Sequence, residues 1–152
     1  QLDRFMFNIL LDYPSFQEEI TIVEQTTGIK ESNVSQILSS QDIIYFQNLI
    51  NKVPVNPTVL KYAVNLASTT RPNRENTHPL ASKYITWGSG PRASQYLIIG
   101  AKTHALLNGK YSPDIEDIKA VAHPVLRHRI IRNYQAEAEG ITNDMLNDEL
   151  LK

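Results

Sequence analysis

Two arginines in this chain stand where their charge needs a reason. In "WGSGPRASQ", residues 87–95, two glycines and a proline make a sharp turn. A long apolar-periodic segment then opens, and its first charged residue is Arg92. A helix N-terminus is the positive end of the helix dipole, so a cation there costs about 0.3–1 kcal/mol unless an anion offsets it. The same N-terminus offers unpaired N–H groups, and an arginine fork beside them suits phosphate oxygens. Gly88 and Gly90 would let the backbone bend and come close to such a group. The plainer outcome, which spacing alone slightly favours, is that Arg92 turns to water or pairs with a carboxylate.

The second arginine is Arg4, which follows Asp3 in "LDRF" just ahead of an alternating apolar run. An arginine at the edge of a nucleotide-binding sheet can reach the γ-phosphate held by a neighbouring subunit. A surface salt bridge worth 0–1 kcal/mol is the alternative.

Other chemistries find little support. His78, His104, His123 and His128 include no i, i+4 pair and no carboxylate that would complete a ligand set, so no metal site is expected. There is no cysteine, which excludes disulfides and thiolate ligands and fits a reducing, cytoplasmic compartment. No G-x-S-x-G elbow and no G-x-x-x-x-G-K-[ST] loop occurs, so this chain alone has no means of cradling a triphosphate. The run Arg127, His128, Arg129, Arg132 could face nucleic acid, or pair with acids such as Glu137 and Glu139. The formal net charge of −1 argues against a nucleic-acid footprint.

The elements that must position these residues are mostly helical. A chain of 152 residues, 41% hydrophobic and 20% charged, can build one compact core, and no apolar run is long enough to span a bilayer. Residues 5–11 alternate as one short strand without a convincing partner downstream; its edge is expected to be sticky. Helices are expected from the Ser15/Glu18 capping box to Gly28, from Ser39/Asp42 through Ile50, and from Asn56–Pro57 with Leu60, Ala63, Val64 and Ala67 inward. Residues 71–82 read as a polar loop, and "KYITW", 83–87, as extended or a helical turn. A helix follows from Pro91 to about Asn108, with Ala93, Tyr96, Leu97, Ala101, His104 and Ala105 inward. Another runs from Ser112–Pro113–Asp114 to a break at His123–Pro124, and a last one is capped by Thr142 and carries Met145 and Leu146. The fold class is therefore mainly α: a bundle of roughly five or six helices preceded by one short strand.

"QLDRFMFNILLDYPSFQEE" resembles the end of the ATPase core in the MoxR family of AAA+ ATPases. "GPRASQYLIIGAKTHALLNGKYSPDIEDIKAVAHPVLRHRI" resembles that family's helical lid, and "YQAEAEGIT" its closing segment. The resemblance implies that 1–14 ends the core and 15–152 forms the α-helical lid domain. Gly90–Pro91–Arg92 falls where the family carries its sensor-2 arginine, and Arg4 where "LDRF" motifs carry an arginine finger that acts in trans. It further implies a parent that uses ATP and Mg²⁺, works as a hexameric ring with its own N-terminal core and neighbouring subunits as partners, and remodels or activates client proteins in the manner of a chaperone. Von Willebrand factor A domain proteins are the implied clients. The Walker motifs would precede Gln1, so the chain is expected to be a piece of a longer protein that does not hydrolyse ATP by itself. The competing expectation is a helical protein-interaction module with no nucleotide role.

Overall fold

The computed structural model describes residues 1–28 and 34–152. A 3₁₀ turn, Leu2–Arg4, leads into an extended stretch and then α1 (Phe16–Thr27), α2 (Ser40–Lys52), α3 (Pro57–Thr69) and α4 (Pro79–Tyr84). After β1 (Ile85–Trp87) come α5 (Pro91–Leu107), α6 (Ile115–Leu126), β2 (Ile131–Arg132), α7 (Tyr134–Ala138) and α8 (Asn143–Leu150). The chain is thus a helical bundle with one two-stranded antiparallel ribbon, in which β1 pairs with β2.

Local chemistry fixes most of the helix starts. Ser15 with Glu18 and Ser39 with Asp42 form complete capping boxes, as does Asp114 with Asp117, while the Asn56 side chain caps α3 ahead of Pro57. Each such cap is worth about 1 kcal/mol because it satisfies N–H groups the helix cannot.

The core lies between α3, α5 and α6. Leu97, Ala101, Ile118, Ala122, Val125 and Leu126 are all fully buried, and α8 adds Leu146. Small residues let α6 settle close on α5: a Cβ at Gly100 would lie 3.2 Å from Val121 Cγ2 and 3.4 Å from the Phe7 ring. The inward face of α3 is Val59, Ala63, Leu66 and Ala67, whereas Leu60 and Val64 are exposed. The expected stripe was rotated because α5 and α6 both cover the Val59–Leu66 side. On α5, Ala93, Leu97, Ala101 and Ala105 are buried as expected, and Tyr96 and His104 sit half-buried at the rim.

The stretch 5–11, expected as a strand without a partner downstream, pairs with no strand among the described residues; it is extended, and the carbonyls of Phe5, Met6 and Asn8 are taken by side chains. Three expectations are corrected. The polar loop ends early, because His78 caps α4 at Pro79. The break at His123–Pro124 does not occur: α6 runs through Pro124 to Leu126. Burial of Val125 and Leu126 against the core outweighs the hydrogen bond the proline removes. Finally, eight α-helices are present among the described residues, because α4 and α7 are too short to show a periodic apolar face.

Candidate functional site

Arg92 occupies the first turn of α5, and that turn is held rigidly in place. Gly88 lies against the end of α3 so tightly that a Cβ there would come within 2.3 Å of the Thr70 carbonyl oxygen. The buried Ser89 donates its N–H to Thr70 Oγ1 (2.9 Å) and its hydroxyl to the Ala67 carbonyl (3.1 Å). Arg71 Nε donates to the Ser89 carbonyl at 2.8 Å. Gly90 is the N-cap of α5 and has no side chain to offer, so no side-chain cap serves this helix start. The result is an uncapped, positively polarised helix end with Pro91 and Arg92 in its opening turn.

An anion does sit at Arg92, and it comes from this chain. Arg92 Nη1 lies 3.0 Å from Asp3 Oδ2. The other oxygen, Asp3 Oδ1, is 3.1 Å from Arg129 Nε. One carboxylate therefore bridges two arginines of opposite character. Arg92 is about half exposed, while the Arg129 side chain is 1% exposed. Burial alone would raise the Asp3 carboxyl, but the hydrogen bonds and charges of Arg92 and Arg129 outweigh it and hold the group below its ordinary value. Burial acts on Arg129 in the opposite sense, lowering it against the pull of Asp3.

Arg129 is the hub of a wider arrangement that the sequence reading missed. Besides Asp3 Oδ1, its guanidinium donates to the carbonyls of Asp3 (2.9 Å), Met6 (3.2 Å), Phe5 and Val125. It stacks over the Tyr96 ring with Cζ 5.0 Å from the centroid, and the Tyr96 hydroxyl donates to the Arg4 carbonyl at 3.0 Å. His128 Nε2 contacts the Phe5 carbonyl at 3.0 Å, and Arg127 Nη1 donates to the Asn8 carbonyl at 2.8 Å. Asn8 N–H in turn donates to the Pro124 carbonyl at 2.8 Å. Arg127 also binds Asp144 (Nε to Oδ1, 2.8 Å), which pulls that carboxyl down. The run 127–129 is therefore not an open basic patch, and Glu137 and Glu139 are not its partners. Its fork-shaped donors read the main chain of the N-terminal segment. The sequence signal was present in "PVLRHR" beside "LDRF", but only folding brings the two together.

Arg4 follows Asp3 in the same 3₁₀ turn. Its side chain is exposed and has no ion-pair partner among the described residues. The structure thus joins Arg92 to Asp3, the residue that precedes Arg4 in the chain. The histidines are apart and separately engaged: His78 caps α4, His104 meets Asp117 at 2.7 Å, and His123 lies between Asp144 and Asp148.

A family profile described as the AAA lid domain matches residues 78–150, which takes in the α5 start, α6 and the Arg127–Arg129 run. The chaperone MoxR1 of Mycobacterium tuberculosis is 30% identical over 152 residues, covering all of this chain and 40% of that protein. Over its whole length the chain is similar to members of the MoxR family of AAA+ ATPases. The uncharacterized protein YeaC of Bacillus subtilis is 28% identical, with 99% of this chain and 45% of YeaC covered. The crystal structure of a candidate ATPase from Cytophaga hutchinsonii superimposes with a TM-score of 0.87 at 35% identity, over 99% of this chain and 46% of that one. The chain therefore spans less than half the length of the relatives it matches. No helix among the described residues is long and apolar enough to cross a membrane.

Proposed function

We propose that this lid domain reads the nucleotide state of a MoxR-type AAA+ ATPase and converts it into movement that remodels or activates client proteins. In this reading residues 1–14 complete the ATPase core and 15–152 form the lid. ATP and Mg²⁺ are held by the parent's core, or by that of the next subunit in a hexameric ring. The bound nucleotide supplies a γ-phosphate whose charge is the signal to be sensed. Arg92 acts as sensor 2, and Arg4 reaches across the subunit boundary as an arginine finger. Fingers of this kind contribute about 10³–10⁵ in rate. The clients are von Willebrand factor A domain proteins, and the setting is the cytoplasm.

The observation that carries the proposal is the Arg92–Asp3 pair at the uncapped start of α5. Arg92 is exposed, faces an oxyanion at 3.0 Å, and stands in a turn fixed by Gly88 and Ser89. The donor set fits a phosphate: main-chain N–H groups at the helix end beside a guanidinium. Asp3 and a γ-phosphate would compete for the same fork, so nucleotide arrival has a ready structural consequence.

The test uses the full-length protein. Arg92→Ala should lower ATP turnover and change nucleotide affinity. Unchanged turnover together with unchanged affinity removes the sensor role and leaves the lid as a helical interaction module without a part in nucleotide chemistry.

A further inference from the structure

We infer that Arg129 is a positioning residue for the arginine finger: together with Asp3 it clamps the Arg4-bearing end of the core to the lid and fixes the backbone of Arg4 against α5 and α6. The inference rests on the reading that Arg4 acts in trans.

The segment from Asp3 to Asn8 lies across α5 and α6 and is held at nearly every residue. Lid side chains take the carbonyls of Asp3, Arg4, Phe5, Met6 and Asn8. The Asn8 N–H is tied to the Pro124 carbonyl, and the Phe7 ring approaches the helix at Gly100. Arg129 by itself bonds Asp3, Phe5 and Met6, on both sides of Arg4; Arg92 shares Asp3, and His128 shares the Phe5 carbonyl. A flexible cation exposed at a subunit boundary is useful only if its backbone is fixed, because misplacing a reacting group by about 1 Å costs on the order of 10²-fold in rate.

Asp3 adds a link to the sensor. Its two oxygens are divided between Arg129, which is buried and has further carbonyl partners, and Arg92, which is exposed and has none among the described residues. An incoming phosphate draws Arg92 away and leaves Asp3 to Arg129 alone. The residue adjoining Arg4 thereby changes its charge environment whenever Arg92 changes partner. The two arginines are coupled through one carboxylate.

The experiment is a double-mutant cycle in the full-length protein with two readouts. Arg129→Gln should lower kcat about 10²-fold, and should cost nothing further in an Arg4→Ala background. Hydrogen exchange at the amide of Asn8 should speed up while α5 and α6 keep their protection. Asp3→Asn should shift both readouts in the same direction by less, and it leaves the buried carbonyl contacts of Arg129 in place if Arg129→Gln folds poorly. Equal losses from Arg129→Gln with and without Arg4 would mark a general structural role and overturn the inference, as would unchanged exchange at Asn8 in both variants. If Arg4→Ala itself leaves turnover intact, the finger assignment is what fails, and the Asn8 exchange then decides the clamp by itself.

Discussion

Asp3 and Arg129 lie 126 positions apart in the chain, yet their carboxylate and guanidinium meet at 3.1 Å. The contact closes the fold end to end. It also converts a run of basic residues from an apparent ligand-binding surface into an internal fastener. A buried arginine requires partners for its donors, and main-chain carbonyls of an extended segment meet that need without a second buried charge.

Acid should loosen this fastening. The carboxyls of Asp3 and Asp144 both lie below their ordinary values. A carboxylate depressed in the folded state adds stability that is present above its unfolded value, near 4, and lost as pH falls through the folded value. The thermal midpoint should therefore drop steeply below about pH 4, and Asp3→Asn should flatten part of that slope. An unchanged slope in Asp3→Asn would place the acid sensitivity elsewhere.

His128 should titrate low. Burial pushes its imidazole down, against the Phe5 carbonyl contact and Asp3, which raise it, and with Arg129 and Arg127, which lower it further. Its Nδ1 is buried without a partner among the described residues. The unfolded chain takes up this proton near pH 6.5 and the folded chain resists it, so stability falls as pH drops below about 6.5 until the folded value is reached. An NMR titration of the ring protons should give a midpoint under 6.5; one above it would contradict the assigned surroundings.

Gly88→Ala should be costly. The added methyl meets backbone atoms of Thr70 and Arg71, and backbone cannot swing aside as a side chain can. Overpacking of this kind costs about 1–3 kcal/mol, which denaturant unfolding would register. In the full-length protein the same change should disturb nucleotide response, because the turn it displaces starts α5.

Asp117→Ala should also destabilise the bundle. The buried Asp117 carboxylate accepts from His104 Nδ1 (2.7 Å), Lys110 Nζ (3.1 Å) and the Asp114 N–H (2.8 Å), pinning the loop between α5 and α6. Lys110 keeps Asp114 after the change, so the expected loss is about 2 kcal/mol, from the charged hydrogen bonds and the capping box. Denaturant unfolding should register it; a change below about 0.5 kcal/mol, the scale of an ordinary surface substitution, would mean that the loop is held by other contacts.

Local rules carried much of the fold. Capping boxes at Ser15, Ser39 and Asp114, and the Asn56–Pro57 start, are interactions within three residues, so their signals are complete in the sequence. The apolar face of α5 was readable for the same reason. The rotation of the α3 stripe was not, because Leu60 and Val64 are as apolar as Val59 and Leu66, and only the position of α5 and α6 selects between them. Pro124 was read as a stop from its missing N–H, a local cost that packing of the following residues overcame.

By itself the sequence determined the helical class, most helix starts, and the pairing of a cation with a tight glycine–proline turn at Arg92, because propensity, capping and dipole effects act within a few residues. Only the tertiary structure decided that Arg92 faces Asp3, that Arg129 is buried, and that residues 3–8 are bound as a strip of carbonyls instead of a strand. Those contacts join residues 3–8 to side chains about 90 to 125 positions further on, and apart from the Asp3 carboxylate the partners in the segment are main-chain carbonyls, which are the same at every position and leave no mark in the residue types.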